Sequence, residues 1–427
     1  MEIQNLSEGV FMNQSTQRNA PHAAGNIDPS FGEGGFVDGT SGYSVRAITE
    51  HRGAIVYAEW GGDDIRVCRL HADGSVDTDF GQEGAFQWTF EPERRAAPEQ
   101  LISQPDGKIL LLGRTIDKVD EFIWRTAVSR FHPDGSLDED FGTRIFPYPY
   151  EPGSVSITTH LPFVALQADG KLLITTGYSV DAQGSRIFEA GRIFRLQSTG
   201  VSDPSFGIQG QIEVRINGQN TRIESIGLLS GESGESIAVS AQVDRPQGNY
   251  VTKTIGVACF KSTGQLDQGF AVRGYWEAPP GTTLAKMLID NDRVVCLGTA
   301  QVPDFGRALW LTRLTARGEV DPEFNNAVPL TIRLPHAPSF PTGLLQAGAR
   351  LNVLMTGNDV RGQLYLLGIR EDGSLDLDFG EAGVAHIGSG SVWAGAIQSD
   401  NERLVIAADL AQFDGINKPT LIGLLNA

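Results

Sequence analysis

The sequence predicts an all-β chain folded as a seven-bladed β-propeller with four antiparallel strands per blade. Three observations carry this reading: a turn motif that occurs seven times, short apolar runs in hairpin order between the copies, and two chain ends that complete each other. A repeat at near-regular spacing sets the architecture, because each copy is one structural unit.

The motif is Gly-x-x-Asp-x-x-Phe, usually followed by Gly. It reads GNIDPSFG at 25–32, GSVDTDFG at 74–81, GSLDEDFG at 135–142, GVSDPSFG at 200–207, GQLDQGFA at 264–271, GEVDPEFN at 318–325 and GSLDLDFG at 373–380. Its Phe residues, Phe31, Phe80, Phe141, Phe206, Phe270, Phe324 and Phe379, are separated by 49, 61, 65, 64, 54 and 55 residues. Such gaps suit a four-stranded unit slightly longer than common propeller blades of ~40–50 residues. The Gly reads as a turn position with positive φ. The Asp (Asp28, Asp77, Asp138, Asp203, Asp267, Asp321 and Asp376) reads as a residue that accepts from its own backbone two residues on. The Phe reads as an apolar pin between sheets. These fourteen Asp and Phe residues are structural repeat positions, not acids or metal ligands for chemistry.

A short strand follows each Phe-Gly, as at 35–38. Two apolar runs joined by a tight polar turn come next, clearest at 102–113 and 166–177 with Asp-Gly at the tip. Weaker versions lie at 47–58, 287–298 and 344–355. A fourth strand leads into the next motif at 65–70, 126–131, 192–197, 308–314 and 365–370. No segment has a long 3.6-residue apolar period, so helix content is expected to be very low.

The final segment, LIGLLNA at 421–427, has the pattern of a fourth strand without its Gly-to-Phe turn; that turn stands alone at 25–31. The ends together make one repeat. The expectation is a ring closed by pairing of the N-terminal segment with the C-terminal strand, which removes free sheet edges. Residues 1–24 are expected to be a flexible lead-in and 25–427 a single propeller domain.

At these turns the chain resembles the delta-60 repeat family of bacterial proteins. The resemblance rests on Asp-Gly-Lys at 106–108 and 169–171 and on the stretch from Arg130 to Gly142, and it spans roughly residues 25–427. It implies the propeller-type fold and no shared catalytic residues. Copies five and six depart from it, with Ala271 and Asn325 in place of the Gly after Phe. The Arg eleven residues before Phe is kept as Arg69, Arg130, Arg195 and Arg313 but replaced by Cys259 and Gly368 elsewhere. A structural partner for these Arg residues, a neighbouring Asp or a carbonyl, is expected.

Composition sets the outer limits. A net charge of −18 argues against a nucleic-acid partner and against anionic membrane surfaces. No apolar run approaches the length of a membrane span, and the first 25 residues lack a basic and apolar leader pattern. Three cysteines, Cys68, Cys259 and Cys296, fall in different repeats, which makes a disulfide framework unexpected. The expected location is the cytoplasm, or export without a cleaved signal.

Several chemical signatures fail. Asp73-x-Ser75-x-Asp77-x-Asp79 imitates a calcium loop, but Thr78 and Gly84 stand where Gly and Glu are required. The seven His residues show no metal-ligand spacing, and no nucleophile elbow, phosphate loop or dinucleotide fingerprint occurs. No metal, cofactor or catalytic residue is assigned. The better clue is uneven loop length. One face should carry uniform tight turns. The other should carry insertions at 114–124, 147–162, 178–192 and 243–254, with shorter ones at 301–307, 358–362 and 409–418. Trp124, Tyr148, Tyr150, Tyr178, Tyr250 and Trp276 lie in or beside these insertions and are the candidate binding residues. The expected function is a non-enzymatic binding or scaffold module for a protein partner, with a glycan next. The alternative is a glycan-active hydrolase or lyase whose acids converge on the central channel. Clustered acids of perturbed pKa there favour the enzyme; small or apolar side chains favour the scaffold.

Overall fold

The computed structural model describes residues 23–116, 124–147, 156–182, 185–188, 190–231, 234–247, 250–302, 306–333, 339–357, 362–399, 402–412 and 417–426. These residues form an all-β, propeller-type array, and a single 3-10 turn, Asn325–Ala327, is its one helical element. Five antiparallel sheets have four strands each. The first runs Ser44–His51, Ala54–Trp60, Ile65–Leu70, Ala85–Trp88, and the second Arg95–Ser103, Ile109–Ile116, Trp124–Phe131, Thr143–Ile145. The third runs Val164–Leu166, Leu172–Thr176, Gly191–Leu196, Gln211–Val214. The fourth runs Thr221–Gly231, Gly234–Gln247, Tyr250–Lys261, Tyr275–Glu277, and the fifth Thr282–Asp290, Arg293–Val302, Gly306–Leu314, Leu330–Ile332.

A further sheet has seven strands, in the order Phe36–Asp38, Asn417–Leu424, Leu404–Ala411, Val384–Ile397, Gln363–Ile369, Arg350–Gly357, Ser339–Ala347. The long strand Val384–Ile397 serves two neighbours in succession. Its first half pairs with Gln363–Ile369, and from Gly390 onward it pairs with Leu404–Ala411. Gly388 and Gly390 mark the handover with φ of 139° and 144°, a conformation glycine reaches without a Cβ clash. At the other edge Phe36 lies opposite Ile422 and Asp38 opposite Thr420, joining N- and C-terminal segments in one ladder.

The short strand after each Phe-Gly pairs with the strand before its motif, so the motif is the turn between the third and fourth strands of one sheet. All seven motif Phe rings are at most 1% exposed. The motif Asp accepts from the backbone two residues on: Ser30 N donates to Asp28 Oδ1 at 2.9 Å and Glu323 N to Asp321 Oδ1 at 3.0 Å. Six of the seven turns are also sewn to another repeat by the amide after Phe, while Gly142 N turns back to Asp138 O. Gly32 N donates to Asp73 O at 2.7 Å, Gly81 N to Asp134 O at 2.8 Å, and Gly380 N to Ala24 O at 2.8 Å. Where the sequence loses this Gly, Ala271 and Asn325 still make the bond, to Arg317 O and Asp372 O, and hold φ at 44° and 46°.

The repeated Arg is engaged within the fold. Arg130 Nε is 2.7 Å from Asp138 Oδ2 and its Nη1 is 2.6 Å from Ser198 O of the adjoining repeat. Its guanidinium carbon lies 4.6 Å from the centre of the Phe141 ring. Arg313 repeats the arrangement with Asp321 at 2.7 Å and Glu371 O at 2.8 Å.

Three insertions that the sequence reads as loops have regular structure. Strands Ser156–Thr159, Tyr178–Ala182 and Ser185–Phe188, from successive insertions, combine into a three-stranded sheet. The insertion at 243–254 extends the central hairpin of the fourth sheet: Asp244 lies opposite Lys253 and Arg245 opposite Thr252. Opposite charges facing each other across the ladder, and an Arg245–Glu277 ion pair, explain why this polar stretch stays in strand form.

Candidate functional site: charged residues on the bulged inner strands

The first strand of each sheet is the one that touches its neighbours in other sheets. Ser44–His51 packs against Arg95–Ser103 and Val384–Ile397, Thr282–Asp290 against Thr221–Gly231 and Ser339–Ala347, and Val164–Leu166 against Thr221–Gly231. Gln100 Oε1 accepts from Val164 N at 3.1 Å, joining the second and third sheets. These first strands, the inner strands below, therefore pack against one another from sheet to sheet.

Most of them carry a β-bulge at the same level. The ladder shifts between Val45 and Ala47, Pro98 and Gln100, Ile223 and Ser225, Thr283 and Lys286, Pro341 and Gly343, and Val392 and Ala394. A bulge leaves a residue without a ladder partner and re-aims its side chain. The residues left over are Arg46, Glu99, Glu224, Thr342 and Trp393, while in the fifth sheet the bulge immediately precedes Lys286. Each bulge in the first, second and fourth sheets lies within two to four residues of its strand's first residue (Ser44, Arg95 and Thr221). The tight hairpin turns are at the far ends of those strands, so the bulges sit toward the insertion face.

Charges from different sheets act on one another there. Glu99 Oε1 accepts from Arg114 Nε at 2.7 Å and lies 2.5 Å from Arg114 Nη2. Burial pushes the Glu99 carboxyl above the usual carboxylate range, against the pull of Arg114, Arg46 and Lys286. Glu224 is raised likewise by burial, opposed by Arg222 and Lys286; it accepts from Gln242 Nε2 at 2.7 Å and lies 3.0 Å from Arg222 Nε. Lys286 is lowered by burial, opposed by Glu224 and Glu99, and its Nζ stands 5.1 Å from the Phe163 ring centre. Arg46 lies 3.7 Å from the Trp393 ring centre and 5.1 Å from that of Trp60. Asp409 anchors this corner, accepting from Trp393 Nε1 at 2.8 Å, from Val45 N at 3.1 Å and from Ser44 Oγ. Raised carboxyls and a lowered amine, beside aromatic faces, single this cluster out as the candidate site.

The residues singled out from sequence fare differently. Trp124 opens its strand half-buried, with the Arg114 guanidinium carbon 5.0 Å from its ring, and so adjoins the Glu99 pair. Trp276 is half-buried and stacked on Trp310 with ring centres 6.2 Å apart. The Tyr178 ring is enclosed, its hydroxyl donating to Pro147 O at 3.3 Å. Tyr250 begins the strand Tyr250–Lys261 opposite Gln247. Tyr148 and Tyr150 lie outside the described residues. Sequence reasoning missed Arg46, Glu99, Glu224 and Lys286. The available signal was a charge inside an apolar inner strand, as in RAAPEQLIS and TRIESIGLL.

On the hairpin face, a cleft lined by Lys108, Arg130, Gln167 and Ser198 contains Arg130, whose charge is already matched by Asp138.

Residues 58–80 and 104–141 match the family described as a domain of unknown function (DUF5122) beta-propeller. No curated protein matches the chain. Among solved structures, a polysaccharide lyase of the PL25 ulvan lyase family aligns over 92% of this chain and 96% of its own, with 9% identity and a TM-score of 0.52. The polysaccharide lyase Uly1 aligns over 93% and 92%, with 12% identity and a TM-score of 0.49. The β-propeller domain of the trilobed protease from Pyrococcus furiosus aligns over 89% and 95%, with 9% identity and a TM-score of 0.47. At such identities the first of these bears on the fold alone. Repeated motif, four-stranded antiparallel sheets and family match agree: the chain is a β-propeller-type repeat protein.

Proposed function

We propose that residues 25–427 form one domain, a closed seven-bladed ring of delta-60-type repeats, with 1–24 as a lead-in, and that it acts on a glycan at the insertion-face mouth of its central channel. In this reading the seven-stranded sheet is two blades sharing Val384–Ile397, and the ladder from Phe36 to Ile422 completes the last blade. Two variants test closure. Removing residues 1–31 should lower the melting temperature sharply and removing 1–20 should not; equal melting would overturn the ring.

The single observation that carries the function is that four sheets each set a charged residue at or beside a first-strand bulge, Arg46, Glu99, Glu224 and Lys286, and that these charges act on one another across sheets. Of the two functions expected from sequence, this favours the glycan-active one over the scaffold, since the channel side holds ionisable groups with shifted pKa values. Flat aromatic faces at Trp393, Trp60 and Trp124 suit stacking on sugar rings. The activity of the aligned lyase, cleavage of a polysaccharide, is of the same class. The chain should release reducing ends or form a new carbon–carbon double bond on a polysaccharide panel. Glu99→Gln and Glu224→Gln should each cut that rate about 100-fold or more. Turnover unchanged in both would place the chemistry elsewhere.

A further inference from the structure

The charged group at the inner-strand bulges is unevenly satisfied. Its carboxylates are already engaged: Glu99 by both nitrogens of Arg114, Glu224 by Gln242 and Arg222, Asp409 by three donors. Two of its cations are not. Among the described residues no carboxylate lies within 4.0 Å of Lys286 or of Arg46. The Arg46 Nε is enclosed and meets no hydrogen-bond acceptor, and the same holds for the indole N–H of Trp60, the ring that flanks it. The excess is all of one kind: donors and positive charge. It occurs in a chain of net charge −18, where a chance surplus of base is least expected.

Leaving a cation partly enclosed without an anion is costly. Here the fold sustains two, with aromatic rings fixing both: Trp393 and Trp60 beside the guanidinium, Phe163 beside the ammonium. Aromatic faces stabilise a cation without neutralising it, so each charge remains available to an incoming group. The two belong to different sheets, yet both charges act on Glu99, and Lys286 reaches its side of that strand through Phe163, whose neighbour Val164 donates to Gln100.

We propose that Arg46 and Lys286 form an anion subsite, so that the glycan taken at this site is acidic, carrying a carboxylate or a sulfate ester. This rests on the glycan reading above. Arg46 offers a planar fork suited to either group, and Lys286 a point charge.

The full chain and its Arg46→Met and Lys286→Met variants are titrated with three probes: polygalacturonate, dextran sulfate and neutral dextran. Far-ultraviolet circular dichroism checks folding, and Arg46→Lys, which keeps the charge, serves if Arg46→Met is unfolded. The expected result is at least about tenfold tighter binding of one acidic probe than of dextran, a preference lost in the Met variants. Polygalacturonate preferred over dextran sulfate assigns a carboxylate, the reverse a sulfate. Dextran bound as tightly as both acidic probes, or an acidic preference surviving both Met variants, overturns the subsite but leaves the glycan reading standing. If no polysaccharide binds, the glycan reading fails. The subsite is then judged by whether glucuronate or inorganic sulfate raises the wild-type melting temperature above that of the Met variants at equal ionic strength; no difference overturns it.

Discussion

Arg350 Nε donates to Asp376 Oδ2 at 2.7 Å, restoring a contact that the repeat loses where Gly368 replaces its usual Arg. The substitute comes from the start of a different strand, yet it reproduces the whole arrangement. Its Nη1 reaches the carbonyl of Asn426, and its guanidinium carbon lies 5.2 Å from the Phe379 ring centre. Arg403 does the same for Asp28, at 2.6 Å, with Phe31 and the Ala72 carbonyl. The repeat conserves a contact, not a position. Arg313→Met, which leaves the buried Asp321 with Arg293 alone at 3.2 Å, should cost about 2 kcal/mol in urea unfolding. Asp267→Asn, in the repeat whose Arg is Cys259, should cost less than about 1 kcal/mol. Equal losses would mean the Arg adds nothing to the turn.

Acid should attack these clasps over a defined window. Burial pushes Asp138 upward, but Lys108 and Arg130 outweigh it and hold its carboxyl at about 2. Asp28, Asp203 and Asp376 are lowered in the same manner. A depressed folded-state pKa gives stability that is full above the unfolded value and is lost as pH falls through the folded one. The urea midpoint should therefore decline between about pH 4 and pH 2. Lys108→Met should flatten that decline.

Glu59 should show the opposite sign. It is fully buried, accepts from Thr40 N at 2.7 Å, and burial raises its pKa. A raised acid favours folding while protonated and opposes it as pH rises through the folded value. Glu59→Gln keeps an acceptor for Thr40 and should raise the melting temperature at pH 8 but not at pH 4. A loss at both would show that the carboxylate itself is required.

Ala271 occupies a left-handed φ of 44° where five sister copies have Gly. Ala271→Gly should stabilise the chain by about 0.5–1 kcal/mol, the relieved strain exceeding the added unfolded-state entropy. Gly207→Ala, whose Cβ would lie 2.3 Å from the Gln211 carbonyl oxygen, should destabilise it by more. Calorimetric melting of both variants decides the point.

The Cys68, Cys259 and Cys296 thiols are all buried, and burial pushes each up to about 12. Native protein should not react with a thiol-specific chromogenic disulfide at pH 8, and urea-unfolded protein should release three equivalents. Prompt reaction of the native chain would contradict this burial.

Much of the fold is legible in the sequence because its determinants are local. Gly25, Asp28 and Phe31 each do their work within one turn, and so do their counterparts in the other copies, so spacing alone locates them. The strand read at 65–70 coincides with Ile65–Leu70 for the same reason. The candidate site is not local. Arg46, Glu99, Glu224 and Lys286 act on one another across sheets, each at or beside a bulge, a relation of register between sheets that one strand's pattern does not contain. Trp124 stands out in sequence as an aromatic beside an insertion, a local signal, but its contact with Arg114 of another strand is not local.

The strand Val384–Ile397 is a shared beam: its amides are locked on one side to Gln363–Ile369 and on the other to Leu404–Ala411. The sheets it joins are hinged by no loop, so they should exchange their amide hydrogens with solvent as a single cooperative block, whereas other neighbouring sheets can breathe one at a time. Trp393, next to Arg46, lies on that stiff segment, which gives the charged cluster one wall that does not yield when a ligand arrives.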